Sequence, residues 1–338
     1  MTLNQRIFDL MEVAEDKHDE QWLKDSLQAA IEVEFFTIPI YLAALWSIKD
    51  PAHFAYRSIR TIAVREEMLH FGLMCNLLTA LGEVPKINVS PHVPVYPNHL
   101  PGNINPALTV RLQGLSDDAL DKFMAIEFPE NGSVVGTTSA HITALTEEFS
   151  TIGAFYTAIL ETFERLNLQL SPVNQQERAG FGLLKITDMD GVRSAIGIIK
   201  HQGEGTDGSP EDTGPNDLAH FYRFGEIRFL KKLKKDAATG KWDFNGDPIS
   251  PVATHPMAPV PFGGYQKADV KPEIWALLEA FDRSYSEMLN LLQAAWQGGS
   301  LDDAVDAMTS DLKPTAIALM REPIPGGNGN YGPCFRLV

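Results

Sequence analysis

Apolar side chains between residues 19 and 81 recur in alternating steps of four and three, which places them on one face of an α-helix. Two such series predict one helix from about Asp19 to Ser47 and a second from about His53 to Leu81. A glycine follows the second series and a proline comes soon after it, and both residue types end helices. Because only a short break at residues 49–51 separates the two helices, we expect them to be antiparallel neighbours in a bundle.

Three polar residues occupy positions that these series otherwise give to apolar side chains. Glu34 replaces a core residue of the first helix, and Glu67 and His70 replace two core residues of the second. Glu34 lies about 15 residues before the break and Glu67 about 16 after it, so the three side chains are expected at one depth. Burying ionisable groups is costly unless they are paired or bound to a cation. We therefore predict a metal site, the alternative being buried acids that hydrogen-bond to neighbouring groups.

Pro39 lies in the first predicted helix, five residues after Glu34. It has no amide hydrogen, so the carbonyl of Phe35 loses its usual helical partner. We expect the helix to kink or bulge just after Glu34. Distortions of this kind are frequent at functional sites.

The remainder of the chain alternates loops and helices. Residues 83–116, which are rich in proline and asparagine, are predicted to form a long irregular loop. Further helices are predicted at Leu120 to Phe128, Ala140 to Leu166, Pro272 to Gln297 and Leu301 to about Met320. Another helix is predicted from about Asp188 to Glu204, and it continues from Leu218 after a loop at 206–217. We assign residues 1–235 to a bundle and residues 236–338 to a loop and two helices packed on it, which together form one compact unit.

The fourth bundle helix offers a second acid and histidine. Glu204 and His220 flank the predicted loop at 206–217. We interpret them as an inward Glu-x-x-His pair that an insertion has separated. His201 and Glu204, at the same spacing in reverse order, form the competing local pair.

Composition restricts the kinds of partner and the location. The chain has 338 residues, with 28 Lys and Arg against 44 Asp and Glu and a net charge of −16, which argues against nucleic acid or an anionic membrane as a partner. Two cysteines, Cys75 and Cys334, cannot form a disulfide framework. The longest apolar run, Phe35 to Ile48, is too short to span a membrane. No secretion signal opens the chain, so we expect a cytoplasmic protein.

Six ordered motifs extend over nearly the whole chain. They are LQAAIEVEFFTIPIYLAALWSI, REEMLHFGLMCNLLTALGEVP, TIGAFYTAI, HQGEGT, AHFYRFGEI and the ending GPCFRLV. Together they resemble the bacterial ferritin-like family named for iminophenyl-pyruvate dimer synthases, which includes part of the violacein pathway enzyme. The resemblance implies an all-α, ferritin-like four-helix bundle with long irregular loops and additional C-terminal helices. It also implies five metal-ligand candidates: Glu34, Glu67, His70, Glu204 and His220.

One motif departs from the family pattern. The third-helix motif of the family carries glutamate where this chain has Ala154, and alanine cannot bind a metal. Glu147 and Glu161 lie seven residues to either side, about 10 Å along the helix axis. Either of these acids substitutes for the missing ligand, or the site holds fewer ions or none.

The resemblance implies an oxidative enzyme that acts on an amino-acid-derived imine or a related small metabolite. Inward carboxylates and imidazoles suit Fe or Mn, as one or two ions, and leave positions for O₂ or peroxide. Haem is possible, although the chain has no Cys-x-x-Cys-His attachment motif. The alternative is a ferritin-like metal-binding or metal-depleted scaffold without catalytic activity. Ala154 favours this alternative, whereas the long loops favour an enzyme because a storage bundle needs no lids.

Overall fold

The computed structural model describes residues 3–99, 108–129, 152–204, 209–211 and 218–338. Within them the chain is all-α, as predicted, apart from two pairs of two-residue strands. The α-helices are α1 (Leu3–Met11), α2 (Glu20–Ser47), α3 (Phe54–Arg60), α4 (Glu67–Ala80), α5 (Asp117–Ile126), α6 (Ile152–Leu166), α7 (Met189–Glu204), α8 (His220–Phe229), α9 (Pro272–Ala295), α10 (Leu301–Ala307) and α11 (Lys313–Arg321). Two π-helical segments, Thr61–Glu66 and Met308–Leu312, join α3 to α4 and α10 to α11. The antiparallel strands are β1 (Asn98–His99) with β2 (Thr109–Val110), and β3 (Lys234–Lys235) with β4 (Trp242–Asp243).

Helices α2 and α4 form the central pair of the bundle. The Asp19 side chain caps α2 by accepting a hydrogen bond from the Trp22 amide at 2.8 Å. Glu34 contacts His70, and Thr37, three residues later in α2, contacts Glu67, three residues earlier in α4. The two helices therefore run antiparallel. By length and composition α2 could cross a membrane, but its most apolar 18-residue window is completely buried within the protein. It is therefore a core helix of the bundle.

The other bundle helices pack on this central pair. Helix α6 contacts α2, α7 contacts α4, and α6 and α7 contact each other. Helices α5 and α8 pack together beside α2, where the rings of Tyr41, Phe123 and Phe224 lie with centroids 4.7 to 5.2 Å apart. The fold therefore surrounds the inward face of α2 and α4 with parts of four further helices.

The bulge that lies next to the site is in the second bundle helix and not in α2. Helix α2 is α-helical through Pro39, and no π turn follows Glu34. The second bundle helix instead contains the π-helical segment Thr61–Glu66, which ends immediately before Glu67. The bulge thus adjoins the predicted metal site from the helix that carries the Glu-x-x-His pair.

The C-terminal helices and tail pack against α2. The indole ring of Trp46 lies 6.5 Å from the ring of Phe281 in α9 and 6.0 Å from that of Phe335 in the tail. Asp282, which is buried, accepts hydrogen bonds from the Arg336 backbone amide at 3.1 Å and from its Nε at 2.7 Å. The tail is therefore attached by both aromatic packing and an ion pair. Helix α1 was not predicted from the sequence.

Arg336→Ala should lower the free energy of unfolding by about 1 to 3 kcal/mol, because it leaves the buried carboxylate of Asp282 without its charged partner. Urea unfolding measures the change. Arg283→Ala is the matched control, since Arg283 is the exposed neighbour of Asp282, and it should change stability by less than about 0.5 kcal/mol. Equal stability of the two variants would contradict a structural role for the ion pair.

Candidate metal centre

The three residues first predicted from the helical pattern lie together in the core. Glu34 comes from α2, and Glu67 and His70 come from α4. Nδ1 of His70 lies 3.5 Å from Oε2 of Glu34 and 3.6 Å from Oε1 of Glu67. One donor atom from each residue lies within 4.8 Å of the other two, so a single cation could contact all three.

A second group of donors shares one of these acids. Nδ1 of His220 lies 3.0 Å from Oε1 of Glu67 and 3.4 Å from Oε2 of Glu127. These three residues also meet within 4.8 Å. The rings of His70 and His220 lie with centroids 5.7 Å apart. Glu67 is therefore placed as a carboxylate that two cations could share, an arrangement found in two-metal sites.

Each imidazole is oriented by a partner on its far side. Nε2 of His70 donates a hydrogen bond to Oε1 of Gln202 at 2.8 Å, and Nε2 of His220 donates to Oε2 of Glu66 at 3.2 Å. When each ring carries a single proton, on Nε2, its Nδ1 lone pair faces the shared acid. Metal-binding histidines usually have such a partner, which fixes the tautomer and the ring orientation.

Hydroxyl groups orient the carboxylates in the same way. Each of the three acids accepts one hydrogen bond from a hydroxyl, from Tyr156 to Glu34, from Thr37 to Glu67, and from Tyr41 to Glu127 at 2.5 Å. In every case the other carboxylate oxygen is the one that lies near a histidine Nδ1. The acids are thus held with one oxygen bonded and one directed into the centre.

Nδ1 of His220 supports a cation at this centre. The side chain is completely buried, and this nitrogen lies 3.0 Å from Glu67 and 3.4 Å from Glu127 without forming a hydrogen bond of normal geometry to either acid. Buried polar atoms are nearly always hydrogen-bonded, so a nitrogen that meets two carboxylates without a well-formed hydrogen bond needs an explanation. A cation between Nδ1, Glu67 and Glu127 provides one, because the nitrogen lone pair and both carboxylates are the donors that such an ion requires.

The charges at the centre are strongly coupled. Burial raises the pKa of Glu67, and the charge of Glu127 raises it further, against the opposing effect of His220. Burial acts on Glu66 in the same direction, but His220 and Arg223 outweigh it and lower the pKa of Glu66 to about 2. Burial lowers the pKa of His220, whereas Glu127, Glu66 and Glu67 raise it well above its ordinary value. The pKa values of the neighbouring acids Glu66 and Glu67 are therefore shifted in opposite directions, and Glu66 is the one that contacts a guanidinium, at 2.8 Å.

The remaining candidates from the fourth helix have different positions. Glu204 is the last residue of α7, and its side chain lies outside the described residues, so its role stays a prediction. His201 is exposed, which argues against the competing local pair. The α7 side chain that contacts His70 is that of Gln202, which was not among the predicted site residues.

The carboxylate expected from the third bundle helix comes instead from the end of α5. Glu147 lies outside the described residues, and Glu161 is exposed on α6. Helix α6 provides Tyr156 rather than an acid, and the additional carboxylate is that of Glu127, which follows α5. Sequence reasoning missed Glu127 because the segment is short. The pattern that identified Glu34 also identifies Glu127, because Leu120, Phe123 and Glu127 follow one another at steps of three and four, with the acid at a position typical of an apolar residue.

Comparisons with known proteins agree with this architecture. A family model described as Ferritin-like matches residues 27–229. The chain is 27% identical over 315 residues to dichlorochromopyrrolate synthase from Lentzea aerocolonigenes, covering 81% of this chain and 29% of that protein. The chain thus corresponds to less than a third of the length of this relative. The crystal structure of a ferritin-like protein from Caulobacter vibrioides is similar, with a TM-score of 0.64, 22% identity, and coverage of 95% of this chain and 99% of that one.

Glu67→Gln should stabilise the chelator-treated protein by about 1 kcal/mol at pH 7, because it removes a buried charge that Glu127 repels. The folded-state pKa of Glu67 is raised. The wild type therefore takes up a proton at this site as the pH falls through that pKa, and the advantage of the variant should shrink on acidification. Urea unfolding at pH 7 and pH 5 measures both effects.

Glu32→Gln is the matched control for this measurement. Glu32 is an equally buried acid of α2, but it pairs with Arg6 and His92. Its neutralisation should destabilise the protein, because it breaks a buried ion pair. If both variants lose stability, the charge at Glu67 is not a cost to the metal-free fold.

Proposed function

The chain belongs to the ferritin-like family, and we propose that it is a metal-dependent oxidative enzyme of that family. Its metal ligands are Glu34, Glu67, His70, Glu127 and His220. The observation that carries the proposal is the sharing of Glu67 between two buried donor groups, in one of which Nδ1 of His220 meets two carboxylates without a hydrogen bond of normal geometry. Glu204 stays a predicted further ligand at the end of α7.

Carboxylate and imidazole donors favour iron or manganese. Three oxygen donors and two nitrogen donors suit either divalent ion, and the set contains no thiolate that would favour softer metals. When bound, a redox-active ion of this kind supplies the electron transfer that oxidation by O₂ or peroxide requires. With two donor groups that meet at Glu67, we propose two ions.

The surrounding residues keep the ligands in one orientation. Hydroxyls of Tyr41 and Tyr156 fix the carboxylates on either side of Glu67. Arg223 holds Glu66, and Glu66 in turn holds the ring of His220. These partners reduce the reorganisation that accompanies a change of charge at the centre, because the donors already point at it.

We propose an amino-acid-derived imine as the substrate class. Two similarities support it, the motifs shared with iminophenyl-pyruvate dimer synthases and the 27% identity to a protein named dichlorochromopyrrolate synthase. Joining two imine molecules by a carbon–carbon bond releases two electrons and two protons. Reduction of O₂ to hydrogen peroxide takes up both, so the coupling needs no other co-substrate.

Elemental analysis of protein purified without chelator tests the metal site. The wild type should contain iron or manganese at up to two ions per chain. Glu127→Gln and Glu34→Gln should each lose about half of it, because each removes one ligand from one donor group. Glu67→Gln should lose most of it. Glu32→Gln should retain the wild-type content, since Glu32 belongs to neither donor group.

Oxygen consumption tests the reaction. The metal-loaded enzyme should consume O₂ when supplied with an imine made from an aromatic 2-oxo acid and ammonia, and it should form hydrogen peroxide and a coupled product. Glu67→Gln should lower the rate at least about 100-fold, the upper range for the loss of a metal-site group. Full metal occupancy without oxygen consumption for any imine would favour the non-catalytic metal-binding alternative.

A further inference from the structure

An apolar cavity of about 310 Å³ lies between α2, α4 and the C-terminal helices. Its walls include Ile38 and Leu42 from α2, Met288 and Trp296 from the end of α9 and just beyond it, and Phe335 from the tail. Cavities of this size with apolar and aromatic walls are typical binding sites for small molecules.

The cavity is separate from the metal centre. On α2 the residues at the centre are Glu34, Thr37 and Tyr41, whereas residues 35, 38 and 42 line the cavity. Each cavity residue follows a centre residue by one position, which turns its side chain about 100° around the helix. Helices α5, α7 and α8 surround the centre and contribute no described residue to the cavity wall. The α2 and α4 pair therefore lies between the two sites.

Both π-helical segments of the described chain contribute to this cavity. Val64 belongs to the segment before α4, and Met308, Thr309 and Leu312 belong to the segment before α11. A π turn inserts an additional residue into a helix at a cost in backbone geometry, and it is found mainly at functional sites. The contribution of both turns to one cavity wall indicates that the cavity is a built feature of the fold.

Positive charge lies at the rim of the cavity. Arg60 and Arg178 line it, and no carboxylate does. The Arg178 guanidinium lies 4.6 Å from the centre of the Phe181 ring and 3.3 Å from the exposed Asp302. The guanidinium of Arg60 is exposed and has no hydrogen bond or ion pair within the described part of the chain. In a chain of net charge −16, two arginines in the wall of an apolar cavity favour an anionic ligand with an apolar body.

We propose that this cavity binds a hydrophobic carboxylate. The apolar body lies between α2, α4 and α9, where methionine and aromatic side chains adapt to its shape. The carboxylate lies at Arg60 and Arg178, whose planar donors suit it. This site is independent of the proposed oxidation, because it shares no residue with the metal centre.

Calorimetric titration of the metal-loaded full-length protein tests the site, with dodecanoate below its micellar concentration as the probe. We expect saturable binding of one molecule per chain. Arg60→Gln should weaken dodecanoate binding roughly threefold to tenfold and leave the binding of uncharged dodecanol unchanged. Arg57→Gln, an exposed arginine one turn earlier in α3 that does not line the cavity, is the matched control and should bind as the wild type does.

Two further variants locate the bound probe. Val305→Trp fills the cavity from α10 and should abolish binding of both dodecanoate and dodecanol. Glu127→Gln alters the metal centre and should leave both affinities unchanged. Failure of the wild type to bind, or loss of binding in Glu127→Gln with retention in Val305→Trp, would overturn the proposal. If Val305→Trp does not fold, the comparison of Arg60→Gln with Arg57→Gln decides the matter.

Discussion

The burial of charge at the centre of the bundle is the constraint on which the other features of this site depend. Glu34, Glu67, Glu127, His70 and His220 lie in a space from which water is largely excluded. Acids outnumber imidazoles there, and desolvation disfavours every ionised form. Such a cluster is stable only if other groups donate hydrogen bonds to it or neutralise its charge. The hydroxyls, Gln202 and the Glu66 to Arg223 pair provide part of this stabilisation, and a bound cation would provide the remainder.

The consecutive acids Glu66 and Glu67, at the junction of the π-helical segment and α4, have opposite functions in this arrangement. Glu66 contacts Nε2 of His220 and is held by Arg223, whereas Glu67 contacts Nδ1 of the same ring and faces the centre. The imidazole is therefore held between two neighbouring residues of one helix. The π-helical segment ends at Glu66, so the change back to α-helical geometry coincides with the change of direction between the two carboxylates. Backbone distortion and ligand geometry are thus linked at one peptide.

Helical periodicity was sufficient to predict the central pair and three residues of the site. Glu34, Glu67 and His70 could be found because each interrupts a long apolar stripe, and their common depth followed from the short connection. Glu127 lies beyond the end of a ten-residue helix, where the stripe is too short to be conspicuous. The hydroxyl donors gave no signal, because Tyr41 and Tyr156 also fit an apolar stripe. The π segments were missed since they depend on tertiary packing rather than on local preference, and α2 remains α-helical without a bulge around Pro39.

The contact between Trp46 and Phe335 has a consequence for biosynthesis. These rings stack although almost the whole chain separates them in sequence. During synthesis α2 leaves the ribosome well before Phe335 does, so the part of its apolar surface that packs on this ring has no partner until the segment around Phe335 emerges. Long-range contacts of this kind slow folding and prolong the exposure of apolar surface. The helix that forms the core of the finished protein therefore exposes apolar surface for longer than its local contacts alone would require.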